Sequence, residues 1–300
     1  MAEFLPEFVE PPSATGRAKA ATRAWTTLRR TVAAVRGSKA ATAGAAILAV
    51  QIVLALFGPT LAPYPYTEFH MTHLLQPPSA QFLAGTDQFG RDQLSRVMWG
   101  ARGTLALAAV STVLGEALGV TVGLVGGYYR GVVDEVLMRT MDALMAFPSI
   151  LLAMLILTSL GHSPVYVVVG ISIVFMPRAA RVLRGLVLSL ASSEFVDAAR
   201  VRGERGWYIL FRELLPNAWT PIIVDSTIRF SYAILLATSL GFLGLGAAPP
   251  SPDWGLMINE ALPFLNQAPW LALLPALAIS SAVVGANLLG DGIQASLRPE

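Results

Sequence analysis

The chain contains no cysteine among its 300 residues and only two lysines, Lys19 and Lys39. The absence of cysteine excludes disulfides, thiol nucleophiles and cysteine-based metal sites. Neither lysine follows a phosphate loop of the G-x-x-x-x-G-K-[ST] type, so this chain cannot bind ATP in that way. No Ser/His/Asp or paired-carboxylate arrangement indicates catalysis. We predict a chain that is not an enzyme and carries no cofactor itself.

Charge is scarce as well, at 13% of the chain against 54% hydrophobic residues. An average soluble domain carries about 25% charged residues, so this balance indicates a membrane protein. Residues 143–177 contain no Asp, Glu, Lys or Arg, a run too long for one ordinary span, and Gly161-His162-Ser163-Pro164 divides it. We predict an all-α polytopic membrane protein with six transmembrane helices. The predicted spans are 42–62, 103–127, 138–160, 165–183, 217–245 and 269–290.

Basic residues are concentrated in alternate connections between these spans. Seven Lys or Arg residues precede the first span and seven Arg residues lie from 178 to 212, whereas 246–268 contains none. The positive-inside rule places the basic segments in the cytoplasm. We therefore predict cytoplasmic N- and C-termini, a cytoplasmic tail at 1–40 and a transmembrane domain at 41–298. Within that domain, 63–102 is predicted to be external and 185–216 cytoplasmic.

One polar segment stands out in this apolar chain: DAARVRGERGWYILFRELLP, at 197–216. Its spacing predicts two short helices with a turn near Gly203, and Pro216 is well placed to begin the next helix because a first-turn proline loses no hydrogen bond. The Ala198–Ala199 pair gives the first helix a small face that another protein could approach closely. The segment is typical of a docking element for a soluble partner.

This segment resembles the EAA loop of ABC-transporter permeases: an acid, Ala-Ala, three residues, Gly, nine residues, an aliphatic residue, one more residue, then Leu-Pro. Two positions depart from the pattern, because the acid is Asp197 and the aliphatic position is Glu213. The resemblance implies a coupling helix that contacts an ATPase subunit. The residues assigned to coupling on this basis are Asp197, Ala198, Ala199, Arg200, Gly203, Glu204, Leu215 and Pro216.

Three further blocks are similar to the C-type permease subunits of dipeptide, oligopeptide and nickel importers: LAGTDQFGRDQLSRVMWGAR at 83–102, GFLGLGAAPPSPDWG at 241–255 and NLLGDG at 287–292. The resemblance implies the type I ABC importer permease fold in a bacterial cytoplasmic membrane, and import of dipeptides or oligopeptides. It also implies a B-type permease partner, two ATP-binding subunits that hold ATP and Mg, and an extracytoplasmic peptide-binding protein. No nucleic-acid partner is expected.

Two alternatives stay open. A nickel or other small-solute importer would share this architecture, and the identity of the binding protein would discriminate. A secondary transporter would need no ATPase. His70 and His73 form an H-x-x-H pair in the outer segment, but two histidines are a weak metal site, and we predict none.

Outside the membrane, Gly85-Thr86-Asp87 predicts a turn, and the spacing of Leu94, Val97 and Met98 predicts an amphipathic helix on the outer surface before the second span. Prolines in 246–268 predict a stiff, extended loop. Trp254 and Trp270 fit an outer aromatic belt. By resemblance this loop faces the binding protein, and the residues proposed for docking are Asp253, Trp254 and Glu260.

Charges inside the spans are costly and are therefore candidates for function. Asp225 and Arg229 lie four residues apart and can pair on one helix face. They are candidates for the translocation path, against the alternative of a pair that only fixes helix rotation. Glu116 is alone on the second span and is expected to face a neighbouring helix or the partner permease. Asn287 and Asp291 are interpreted as structural.

Small residues recur at every fourth position of the second span: Ser111, Gly115, Gly119, Gly123 and Gly127. Because lipid supplies no hydrophobic drive for helix association, such a face indicates close van der Waals packing. The seam is either static or a sliding interface beside the path. Both interpretations predict that leucine at Gly119 disrupts assembly.

Overall fold

The computed structural model describes residues 38–161 and 163–297, and within these ranges the chain is helical apart from loops and one isolated bridge between Thr86 and Asp92. The helices are α1 Lys39–Leu61, α2 Gln93–Tyr129, α3 Gly131–Met145, α4 Ser149–Leu160, α5 Pro164–Leu190, α6 Glu194–Val201, α7 Gly206–Phe242, α8 Trp254–Ala261 and α9 Trp270–Leu297.

Five of the described helices, α1, α2, α5, α7 and α9, are long and apolar enough to cross a membrane. The third predicted span, 138–160, is wrong as one continuous helix. The chain bends there by 92° between α3 and α4, so six spans result only if this bent pair counts as one. The break falls at Ala146-Phe147-Pro148, where Pro148 precedes α4 and cannot donate a helical hydrogen bond.

The second span is much longer than its apolar run. Helix α2 has 37 residues, about 55 Å at 1.5 Å per residue, whereas a bilayer core is about 30 Å thick. The predicted outer amphipathic helix at Leu94–Met98 is therefore not a separate element but the first turns of α2. Asp92 caps this helix, since its side chain accepts a hydrogen bond from the Ser95 backbone N–H at 2.7 Å.

The glycine face of α2 lies against α5. Built on Gly119, a Cβ would lie 2.6 Å from the Met176 carbonyl oxygen, and one on Gly123 would lie 2.5 Å from the Ala180 carbonyl oxygen. Gly115 contacts α5 at Ser172 in the same way, and Gly127 contacts it at Val187. The two backbones are therefore in direct contact along three turns.

Among the described residues this arrangement gives two large apolar cores and a small third one at Ala261, Ala268 and Leu271. The first joins α2, α4, α5, α7, α8 and α9. The second lies at the end that the predicted orientation places in the cytoplasm, and we call it the inner core; in it Leu124 of α2 and Leu183 of α5 pack with Val196 of α6 and Leu210 of α7. The segment 194–214 is thus packed into the bundle and is not a free loop.

Candidate functional site

Helix α6 and the start of α7 form a hairpin that turns at Gly203. Its φ is +74°. The Gly203 N–H donates to the Arg200 carbonyl at 2.9 Å, and the Glu204 N–H donates to the Ala199 carbonyl at 3.1 Å. This pair of bonds is the Schellman arrangement, which places a left-handed residue just after the helix, usually glycine. The predicted turn is confirmed, and its backbone explains why glycine occupies position 203.

The second limb of the hairpin differs from the prediction. It is not a separate short helix, because α7 continues without interruption from Gly206 to Phe242. A π-helical stretch, Ile209–Leu214, lies at its base, and the α-helical part, Leu215–Phe242, carries Pro216 in its first turn as predicted. π-Turns are rare and occur often at functional sites. The hairpin is therefore continuous with a membrane-spanning helix.

The residues assigned to coupling divide between two faces. Ala199 is fully buried in the inner core, beside Val196, so the expectation that it contacts a partner is wrong for this arrangement. Leu215 packs against the same core. Asp197 and Ala198 are exposed on the opposite face. The i, i+3 spacing of Val196 and Ala199 turns these two residues inward and leaves the others outward.

Two exposed apolar residues on this hairpin were not selected from the sequence. Val201 is 88% exposed and Trp207 is 64% exposed, although both are apolar. Trp207 stacks on Phe211 with ring centroids 4.2 Å apart. The tryptophan in this polar segment was the available signal, since tryptophan is enriched among the anchor residues of protein interfaces.

Ion pairs fix the polar side of the hairpin. Arg200 pairs with Asp197 at 3.0 Å, and its guanidinium carbon lies 5.6 Å from the Tyr128 ring centroid at the inner end of α2. Arg202 Nη2 lies 3.4 Å from Glu213 Oε1, and Arg202 Nε lies 3.7 Å from Glu204 Oε1. The acid at 213, which departs from the family pattern, therefore has a cationic partner across the turn.

The charged residues inside the spans come together. Arg229 Nε donates to Asp225 Oδ2 at 2.5 Å and lies 3.1 Å from Glu116 Oε2. The predicted Asp225–Arg229 pairing is confirmed. The expectation that Glu116 faces a neighbouring helix is confirmed, because it lies against Arg229 of α7. Two residues further along, Ser231 Oγ donates to Asn287 Oδ1 at 2.6 Å and joins α7 to α9, as expected for a structural asparagine.

The residues proposed for binding-protein docking are mostly covered. Residues 254–261 form α8, so the loop is not extended throughout. Trp254 is fully buried and its indole N–H donates to the Val97 carbonyl at 3.0 Å, so it belongs to no aromatic belt. Asp253 caps α8 by accepting from the Leu256 N–H at 3.0 Å. Burial raises the pKa of the Asp253 carboxyl above its usual range.

Glu260 belongs to a buried cluster of four charges near α8. Its Oε2 lies 3.2 Å from Arg91 Nη2 and 3.0 Å from Arg96 Nη2, while Asp87 Oδ2 accepts from Arg91 Nε at 2.6 Å and Arg96 Nη1 at 2.7 Å. The two acids balance the two bases. The cluster ties the outer segment, α2 and α8 together, and the proposed docking role of Glu260 is replaced by this packing role.

His70 and His73 pack around Phe82, with ring centroids 5.1 and 5.4 Å from its ring. His70 also stacks edge-on against Tyr64. Within 38–161 and 163–297, no group of three or more His, Asp or Glu side chains is arranged to hold a metal ion. The H-x-x-H spacing here serves an aromatic cluster.

Comparison with known proteins fits this geometry. Residues 119–300 match the family model of the inner-membrane component of binding-protein-dependent transport systems. The chain belongs to this family. Residues 23–78 also match the N-terminal transmembrane domain of oligopeptide transport permease C.

Several curated relatives match over most of the chain. Dipeptide transport system permease protein DppC of Alkalihalophilus pseudofirmus is 40% identical over 266 residues, covering 89% of this chain and 88% of that protein. Glutathione transport system permease protein GsiD of Pectobacterium atrosepticum is 41% identical over 250 residues, 83% of each. Di/tripeptide transport system permease protein DppC of Pseudomonas aeruginosa is 39% identical over 269 residues, covering 88% of this chain and 89% of that one.

Among solved structures, a chain of the MetNI methionine ABC transporter in an inward-facing conformation matches with a TM-score of 0.56 at 18% identity. The match covers 68% of this chain and 97% of that one. At this identity the likeness concerns the fold alone. The chain has the type I ABC importer permease fold and is a multi-span membrane transport subunit.

Proposed function

We propose that this chain is one of two permease subunits of an ATP-driven importer that moves dipeptides or oligopeptides into the cytoplasm. The names of the curated relatives support peptides as the substrate class. ATP and Mg would bind to two separate ATP-binding subunits, and an extracytoplasmic binding protein would deliver the peptide. A B-type permease would form the other half of the path.

One observation carries this proposal: the α6 hairpin is packed into the inner core on one face and presents Val201, Trp207 and charged side chains on the other. Such an element can transmit force, because a partner that pushes on its exposed face would move α2, α5 and α7 together. We place it, with both termini, in the cytoplasm, where an ATP-binding subunit could reach it.

Because the chain has no cysteine, a single introduced cysteine can be labelled specifically to test this placement. In cells, a membrane-impermeant maleimide should label Val201→Cys only after the membrane is permeabilised, and the ATP-binding subunits should protect it from labelling. Met71→Cys is the matched control, because Met71 is 70% exposed in the outer segment and should be labelled in intact cells. Labelling of Val201→Cys in intact cells would contradict the orientation. Labelling unaffected by the ATP-binding subunits would contradict the docking role.

A further inference from the structure

The intramembrane cluster of Glu116, Asp225 and Arg229 has more acid than base. Two carboxylates meet one guanidinium, so the formal charge is −1 when all three are ionised. The Arg229 and Glu116 side chains are only 8% and 9% exposed. An unbalanced charge in a buried, membrane-spanning position is costly, and a cation that approaches it is correspondingly stabilised.

The hydrogen bonds of the cluster are unequally shared. Arg229 Nε carries a single hydrogen, which points to Asp225 Oδ2. Glu116 Oε2 lies 3.1 Å from the same nitrogen, but this buried oxygen accepts no hydrogen bond from any residue that the structure describes. Glu116 is therefore attracted to Arg229 by charge and still has an open acceptor.

The surroundings supply no second cation. Helix α5 contacts the glycines on either side of Glu116 through Ser172, Phe175 and Ala179, all uncharged. Within the described ranges, Arg229 is the only basic residue with a nitrogen within 4 Å of Glu116. Within 4 Å, the described residues therefore supply one positive charge for two carboxylates.

The cluster also lies at transmembrane depth. Arg229 is thirteen residues from Phe242 at the outer end of α7, about 20 Å at 1.5 Å per residue. That distance is inside the roughly 30 Å of a bilayer core. The side chain of Asp225 is 21% exposed and marks the edge where the cluster reaches the surface of this chain.

We propose that Glu116 is the acceptor for the α-ammonium group of a peptide in transit. An ammonium brings the missing unit of positive charge and up to three N–H donors, and a carboxylate oxygen without a donor is its natural partner. Asp225 holds Arg229, and Arg229 positions Glu116. This inference rests on the proposed peptide import and adds the place where the peptide is held.

The test is Glu116→Gln in the complete importer, reconstituted in proteoliposomes with a radiolabelled dipeptide that has a free amino terminus. Uptake should fall about tenfold or more, the scale of a lost hydrogen bond between charged groups. The melting temperature of the complex should be unchanged or higher, because the substitution makes the cluster neutral. A merely structural Glu116 would give the opposite pattern, with lower stability and normal uptake per folded complex.

Asp225→Asn is the matched comparison, because it removes the same unit of charge and keeps the Glu116 carboxylate. Its uptake should fall by less than that of Glu116→Gln. Equal losses in the two variants, or uptake by Glu116→Gln within about twofold of wild type, would overturn the assignment. Absence of peptide uptake by the wild-type importer would contradict the proposed function itself, so the two failures are distinguishable.

Discussion

Replacing Gly119 with alanine should force α2 and α5 apart. The added Cβ would lie 2.6 Å from the Met176 carbonyl oxygen and 3.0 Å from the Ala180 backbone nitrogen. Ordinary van der Waals contact begins at 3.4 Å, so the helices must separate by roughly 1 Å. Both contacts are backbone atoms, which cannot move aside without moving the helix.

The magnitude follows from two opposing effects. Overpacking of a tight interface costs about 1–3 kcal/mol, whereas glycine to alanine inside a helix gains about 0.5–1 kcal/mol by restricting the unfolded chain. Gly119→Ala should therefore be destabilising overall. Gly103→Ala in α2 and Gly185→Ala in α5 are the matched controls, because nothing lies within 4 Å of a Cβ at either site. They should be neutral or stabilising.

Thermal unfolding of the purified chain in nanodiscs, followed by intrinsic tryptophan fluorescence, compares the three variants directly. The expected order places Gly119→Ala below wild type and the two controls at or above it. A melting temperature for Gly119→Ala equal to that of Gly103→Ala would refute the claim that these backbones are in contact.

Three further substitutions, together with one control, test other parts of the structure by the same unfolding assay. Gly203→Ala should lower stability by about 1–2 kcal/mol, because alanine is strained at φ +74°, and should reduce ATP-dependent uptake without preventing membrane insertion. Asp87→Asn should lower stability by about 3–5 kcal/mol, because two buried guanidiniums are left to share Glu260, whereas Glu68→Gln on the exposed surface should change it by less than about 0.5 kcal/mol. Asp253→Asn should gain stability relative to wild type as the pH rises.

The sign for Asp253 follows from its raised pKa. The folded state binds a proton there more tightly than the unfolded state, so its favourable contribution is complete below the ordinary value of 3.8 and is lost as the pH rises through the raised value. Asparagine cannot ionise. If the stability difference between wild type and Asp253→Asn did not change with pH, this explanation would be wrong. For the buried charge cluster, equal effects of Asp87→Asn and Glu68→Gln on the free energy of unfolding would contradict the prediction.

Most of the membrane architecture could be predicted from the sequence, because a bilayer excludes charge over about 20 residues at a time. Five spans follow directly from long apolar runs that contain few charges. The bend at Ala146-Phe147-Pro148 was missed because it lies inside such a run, where hydropathy does not change. Pro148 was the one local signal for it.

Contacts between distant residues could not be predicted in the same way. Glu116 and Arg229 lie on different helices, and no periodicity within either helix reveals that they meet. The pairing of Asp225 with Arg229 was predictable only because both lie on one helix face. The burial of Trp254 was missed because an interfacial tryptophan and a core tryptophan have the same local sequence signature.

The α6 hairpin contains one feature that the sequence predicted and two that it did not. The turn at Gly203 followed from spacing, since a glycine after a helix is a common termination signal. The π-helical stretch Ile209–Leu214 has no comparable signal in the sequence. The inward position of Ala199 depends on its contact with the inner core, which only the tertiary arrangement supplies.

The central claim is that this chain does not drive transport itself and is moved by ATP hydrolysis on partner subunits acting on the α6 hairpin. The most direct measurement is peptide uptake by proteoliposomes that contain the two permeases with or without the ATP-binding subunits. We expect uptake only from the complete importer supplied with ATP, and its loss in Gly203→Trp. Uptake by the permeases alone, or normal uptake by Gly203→Trp, would contradict the account.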